Sequence, residues 1–315
     1  MELRKLGNTD ILISPVGFGV LTIGKTQLNL SISEGAELIK YAVDSGINFF
    51  DTAQYYETYT YLQEGIKSFD EKDIVICSKS LDHGYYQMKY AVKEALENLN
   101  RTYIDIFLLH ELRPNQDRSG AWEYLIEAKK EGLVKAIGIS THHTDVVLSS
   151  LEFPSIDVIF PLINLEGLGI RTGDRIGTKE DMEKAILAAS KKGVGIFLMK
   201  AFGGGNLTHR YIEALDYVSN LDGVNSIMIG FGQKKEIDKA ISYFNGTIDR
   251  SYIPDTSMKK IRIEDGNCEG CGTCVARCPN KALSLVNGMA YVDHNICLTC
   301  GYCAPVCPTR AIIMF

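Results

Sequence analysis

Cysteine is nearly absent from most of this chain. Of nine cysteines in 315 residues, the first 267 positions hold only Cys77. A disulfide scaffold spreads its cysteines through the fold, so that class is excluded. No apolar stretch approaches the roughly 18 residues needed to span a bilayer, and charges interrupt every candidate. The opening Met1-Glu2-Leu3-Arg4-Lys5 lacks the apolar core of a secretory signal. There is no excess of basic residues either. Lys and Arg number 33 against 39 Asp and Glu, a net charge of −6, which leaves a nucleic-acid partner nothing to bind. Also missing is a G-x-G-x-x-G after the first strand pattern, which disfavours an open Rossmann sheet. These absences predict a soluble cytoplasmic protein without membrane or nucleic-acid partners.

The other eight cysteines are crowded into the last 48 residues as two copies of one spacing. Cys268, Cys271, Cys274 and Cys278 precede Pro279; Cys297, Cys300, Cys303 and Cys307 precede Pro308. Zinc knuckles use two pairs of close ligands, not three close cysteines and a Cys-Pro. The repeated spacing resembles that of bacterial ferredoxins with two 4Fe–4S clusters, over residues 258–315. Three thiolates on one tight loop grip three corners of a cubane, and the fourth cysteine serves the other cluster. One cluster then uses Cys268, Cys271, Cys274 and Cys307; the other uses Cys297, Cys300, Cys303 and Cys278.

Upstream, short β-rich runs alternate with helical patterns. Strands are predicted at 16–20, 47–50, 74–78, 104–109, 136–139, 158–162, 195–199 and 226–229. Helices are predicted at 33–45 (with a serine cap), 85–99, 121–131 and 178–192, and Gly46, Gly132 and Gly193 stop three of them. Continuous apolar strands separated by helices are parallel strands buried on both faces. Eight such units in about 245 residues fit a (β/α)8 TIM barrel. The expected fold is therefore α/β, with a barrel over residues 1–245, a linker over 246–257 and a small α+β ferredoxin-like domain over 258–315. Residues 2–13 read as a hairpin turning at 8–10 that plugs the barrel from below.

Catalytic side chains of such barrels sit at the carboxyl ends of the strands. Here those ends carry Asp51-Thr52-Ala53-Gln54-Tyr55-Tyr56, then Lys79, His110 and Ser140-Thr141-His142. In this order they resemble the motifs of the aldo-keto reductase superfamily, over about residues 2–245. The resemblance implies reduction of a carbonyl by NADP(H) or NAD(H), or the reverse oxidation of an alcohol. It implies Tyr56 as proton donor, Lys79 as the cation that lowers its pKa, Asp51 as the partner of Lys79, and His110 as the group that orients the carbonyl. Tyr55, Tyr59 and Tyr61 share the stretch, so taken alone Tyr56 is as readily a half-buried aromatic. Cys77, inside a strand, reads as a core thiol.

The same resemblance points Ser140 and Asn164 at the nicotinamide amide, and Lys200, Gly203 and Gly204 at the pyrophosphate. Gly230, Gly232 and Lys234 fall where the family holds the adenosine phosphates, with a lean to NADP(H). The pattern departs from the family at Thr141, Phe160, Glu236 and Ala240. Two readings therefore stand. One is a carbonyl reductase with an electron-transfer module and a possible redox partner protein. The other is an iron–sulfur electron-transfer or interaction protein whose barrel no longer turns over. The loop 166–177, long and glycine-rich, is expected to shape the pocket.

Overall fold

The computed structural model describes residues 1–25, 27–173, 175–205, 207–255, 260–263, 268–297, 299, 301–304, 306–308 and 311–314. Eight parallel strands close into a barrel. They are Val16–Gly19 (β1), Phe49–Asp51 (β2), Val75–Ser80 (β3), Ile104–Leu109 (β4), Val134–Thr141 (β5), Val158–Pro161 (β6), Gly195–Leu198 (β7) and Ser226–Ile229 (β8). Each pairs with the next, and β8 returns to β1 with Ile227 opposite Val16. Alternate residues such as Val75 and Cys77, Ile106 and Leu108, or Val158 and Phe160 fill the barrel interior. Their neighbours Ile76, Phe107, Leu109 and Ile159 pack against the surrounding helices. Both faces are dry, which is why the strands read as unbroken apolar runs.

The helices of the barrel are Ile32–Asp44 (α1), Tyr59–Ile66 (α2), Tyr85–Leu99 (α3), Ser119–Lys130 (α4), Thr144–Ser150 (α5), Lys179–Lys191 (α6), Tyr211–Ser219 (α7) and Lys234–Phe244 (α8). The serine that caps α1 is Ser31, not Ser33. Its side chain accepts from Glu34 N–H while the Glu34 carboxylate reaches back to Ser31, a reciprocal box that moves the start upstream. Below the barrel, Arg4–Lys5 pairs with Leu12–Ile13 as a hairpin. Gly7 lies so close to β7 that a Cβ there would stand 2.3 Å from Gly195 N, at a φ of +54°. Asn8 N–H donates to Gly193 O at 2.8 Å, and the buried Leu6 completes the plug.

After α8 the chain stays on the outside of the barrel. Arg250 pairs with Asp216, and Tyr252 meets the edge of Tyr211 at 5.2 Å. The end of the expected linker lies outside the described residues. Beyond it, Ile261–Ile263 pairs with Ile312–Met314, and a hairpin joins Leu283–Val286 to Met289–Val292. A short helix, Thr273–Arg277 (α9), lies between these strand pairs in the sequence. No helix among the described residues is long and apolar enough to cross a membrane.

Candidate active site

Strand register brings the predicted residues to one end of the barrel. Asp51 ends β2 opposite Cys77 of β3, so Lys79, two residues on, points to the same side one step higher. Lys79 is 1% exposed. Its ammonium donates to Asp51 Oδ1 and to Thr52 O, both at 2.7 Å. It also lies 4.7 Å from the centre of the Tyr56 ring and 5.5 Å from that of Phe160. Phe160, which from sequence reads only as a departure from the family pattern, here supplies an aromatic face to a buried cation. Burial alone would strip the proton from Lys79, but the facing Asp51 carboxylate favours the ammonium, and the pKa of Lys79 is raised.

Tyr56 ends a 3-10 turn, Gln54–Tyr56, and its hydroxyl lies 3.3 Å from His110 Nε2, with the rings edge to face. Tyr55 is 50% exposed and lies outside the cluster. Lys79 does pull the phenol pKa down, but burial outweighs it, and the group is pushed up to about 12. The expectation of a net lowering is therefore reversed: the phenol carries its proton at neutral pH. His110 is held well below the ordinary histidine range, first by burial and then by Lys79, Arg118 and His142. Its Nδ1 is buried without a hydrogen-bond partner among the described residues. A proton there would be an unsatisfied buried donor, so the neutral ring carries it on Nε2, facing Tyr56. Arg118, 5% exposed and donating to Ser80 O, adds a cation near His110 that no motif in the sequence singles out.

The nicotinamide candidates are more engaged with the protein itself. Ser140 Oγ accepts from Glu111 N–H at 2.9 Å. Asn164 exchanges two hydrogen bonds of 2.9 Å with the Leu168 backbone. Thr141 Oγ1 donates to Leu112 O at 2.7 Å. Gly203 and Gly204, with φ of +57° and +68°, form a side-chain-free left-handed turn after β7 that fits a close-approaching phosphate. Lys200, at its start, places its ammonium 4.9 Å from the ring centre of Tyr302. Gly230 is pressed against Thr22, whose Oγ1 would lie 1.8 Å from an added Cβ. Gly232 N–H donates to Glu236 Oε2 at 2.6 Å, and Lys234 pairs with Glu37 at 2.5 Å. The glycine turn carries no side chains, whereas the start of α8 already holds the Glu236 carboxylate.

The clustered cysteines line two small cavities. Cys268, Cys271, Cys274 and Cys307 ring one. Cys278, Cys297 and Cys303 ring the other, and Cys300 lies outside the described residues. Among the described residues no three ligating side chains converge on a single-ion site. The thiols instead surround a volume, and backbone N–H groups point at their sulfurs. Ala282 donates to Cys278 at 3.3 Å, Ala290 to Cys268 at 3.3 Å and Ala311 to Cys307 at 3.2 Å. Donors of this kind stabilise the negative charge of cluster-bound thiolates, so the residues fit an iron–sulfur group.

The model of the aldo/keto reductase family matches residues 15–220. The chain belongs to that family. A 4Fe-4S dicluster domain follows at residues 267–312. Similar proteins include L-galactose dehydrogenase of Arabidopsis thaliana, 30% identical over 50% of this chain and 55% of that protein. Glyoxal reductase of Bacillus subtilis is 31% identical over 42% of this chain and 48% of its own length. The chain thus spans about half the length of these curated relatives. The solved holo form of aldo-keto reductase AKR11C1 from Bacillus halodurans shares the fold, with a TM-score of 0.64 at 20% identity over 82% of this chain and 93% of that one.

Proposed function

We propose that this protein is a carbonyl reductase of aldo-keto reductase type, organised as a barrel over residues 1–245, a linker over 246–257 and a cluster-binding domain over 258–315. The observation that carries the reading is the stack of Asp51, Lys79, Tyr56 and His110, linked at 2.7, 4.7 and 3.3 Å. NADP(H) or NAD(H), when bound, supplies hydride to the carbonyl carbon. Tyr56 gives its proton to the carbonyl oxygen. His110 donates from Nε2 to the same oxygen, which fixes its position and polarises the bond. Lys79 offsets the charge left on the phenol, and Asp51 keeps Lys79 protonated and in place. A phenol that is protonated at neutral pH is in the form that can donate. Ser140, Asn164, Lys200, Gly203 and Gly204 would hold the nicotinamide and pyrophosphate ends, with Gly230, Gly232 and Lys234 at the adenosine end. The eight clustered cysteines would hold two 4Fe–4S clusters, with a small carbonyl compound as substrate.

A second reading, an electron-transfer protein with a retired barrel, draws on one observation. Ser140, Asn164 and Gly232 N–H are all occupied by the protein's own groups. Titrating anaerobic protein with NADH and NADPH while following Trp122, its only tryptophan, separates the two. Saturable quenching, with turnover in a screen of aldehydes and ketones, supports the reductase. No binding of either nucleotide would favour the second reading.

A further inference from the structure

Three cationic side chains are at least nine-tenths buried among the described residues: Lys79, Arg101 and Arg118. Two of them face a carboxylate. Lys79 pairs with Asp51 at 2.7 Å, and Arg101 with Asp105 at 3.0 Å. Arg118 has no such partner among the described residues. Its Nη1 and Nη2 reach only neutral oxygens, Ser80 O at 3.5 Å and Gln116 Oε1 at 3.2 Å. Its Nε is buried with no acceptor at all. The carboxylates that act on it from further off are already engaged, Glu111 by Arg113 and Asp82 by Ser80.

A buried charge without a counter-charge is costly. Burial is the largest influence on Arg118 and pulls its pKa down, yet a guanidinium keeps its proton near neutral pH. A lysine there could escape by deprotonating; an arginine cannot. The location is equally informative. Arg118 immediately precedes α4, in the loop that follows His110. Ser80, the last residue of β3, accepts on its carbonyl from both Arg118 Nη1 and the His110 N–H, the latter at 2.8 Å. The charge of Arg118 is felt at the His110 ring. Lys200, by contrast, follows β7, on the far side of the eight-stranded barrel from β3. The phosphates of a nucleotide held at β7 and β8 therefore do not answer Arg118.

We propose that Arg118 is an anion subsite of the substrate pocket, and that the substrates are carbonyl compounds that also carry a carboxylate. The open Nε edge of the guanidinium matches the two oxygens of a carboxylate, and the bound anion supplies the missing counter-charge. A phosphate monoester carries nearly two negative charges. It would meet one cation here, with Glu111 and Asp82 nearby, so the singly charged group fits better. The inference rests on the reductase reading for the carbonyl, but not for the anion.

The test compares pyruvate, succinic semialdehyde and para-carboxybenzaldehyde with their methyl esters, on full-length cluster-loaded protein with NADH or NADPH. At least one acid should exceed its ester in kcat/KM by on the order of tenfold. Arg118→Gln should cut that acid-to-ester ratio by on the order of 10–100-fold, chiefly through KM. Arg118→Lys, which keeps the charge and loses the fork, should fall between the two. A purely structural role in the loop before α4 would lower acid and ester alike. Esters reduced as well as acids by the wild type would overturn the proposal, and so would a preference that survives Arg118→Gln. The wild-type comparison needs no variant, so a variant that does not fold leaves it decisive. If no carbonyl is turned over, the reductase reading fails, and calorimetry with benzoate and with inorganic phosphate still reads the subsite. Benzoate binding that Arg118→Gln abolishes supports it; no benzoate binding, or tighter binding of phosphate, overturns it.

Discussion

At the Tyr56 hydroxyl two effects compete: burial raises its pKa and Lys79 lowers it, with burial the larger. The proton is therefore held until a substrate oxygen can receive it. Tyr56→Phe should reduce turnover by on the order of 10²–10⁴ while leaving nucleotide affinity near wild type, as steady-state rates and the Trp122 titration would record. Tyr55→Phe should be mild, and an inactive Tyr55→Phe would place the acid at the wrong tyrosine. The Lys79–Asp51 pair is buried on both sides, at 1% and 7% exposure. Asp51→Asn leaves an ammonium without its counter-charge, and the expected cost is about 3–5 kcal/mol in denaturant unfolding. Histidine sets the pH response. His110 and His142 are held well below the ordinary value of 6.5, with burial the largest cause for each. Below pH 6.5 the unfolded chain binds protons that the folded one refuses, so stability present above that pH is lost as pH falls. Each such histidine contributes a slope of up to about 1.4 kcal/mol per pH unit. Urea midpoints at pH 7.5 and 5.5 should fall apart less in His142→Asn than in wild type; equal gaps would remove His142 from this account.

Between neighbouring elements, spacing decides more than residue type. Gly138, part of the motif leading to Ser140, has no left-handed backbone to explain it. A Cβ there would stand 1.9 Å from Val158 O of the paired strand β6. The glycine lets β5 and β6 meet, and through them it sets Ser140. Gly138→Ala should therefore cost at least the roughly 1–3 kcal/mol of an overpacked core, read as a lower thermal midpoint. The start of α8 poses a different problem. Glu236 accepts from Gly232 N–H, so a 2′-phosphate bound there would meet a carboxylate. NAD(H) should bind more tightly than NADP(H), and Glu236→Gln should narrow the gap; a wild-type preference for NADPH would refute this. Much of this architecture was legible beforehand, because strands buried on both faces and helices ended by glycine leave plain marks. The spacing over 85–99 predicts a helix at the bounds where Tyr85–Leu99 forms. What stayed hidden was relational. The seat of Lys79 against Phe160 is not a property of any local pattern, since it depends on packing between distant strands. The hold of Glu236 on Gly232 N–H, four residues apart, is instead a local helix-start contact that the sequence reading overlooked.

On the scale of the whole molecule, the two parts are held together by different physics. The barrel has a large continuous apolar core that needs nothing added. The C-terminal part has a small one, built from Ile261, Leu283, Ala290, Val292 and Ile312 together with Cys274 and Cys303. A unit of about 50 residues with so little buried apolar surface is marginal unless cross-linked, and thiolates bound to a shared inorganic group supply that link. Metal binding then contributes directly to folding. Anaerobic protein should contain about eight iron and eight acid-labile sulfide per chain, as two four-iron clusters require. Stoichiometric zinc in a colourless protein would contradict it. Oxidation and chelation should remove the iron and release the C-terminal part while the barrel stays folded. Hydrogen exchange would then rise sharply beyond residue 260, where Ile261–Ile263 and Ile312–Met314 lose their pairing, and stay slow in β3 and β4. The barrel mouth is the informative boundary. Tyr302 leaves with the C-terminal part, so exchange should also rise around Lys200 and Gly169, the barrel residues that meet it. Continued protection of residues 260–314 in iron-free protein would show that their core stands without the clusters. Loss of protection there with no change near 169 and 200 would show that Tyr302 does not dock on the mouth in solution.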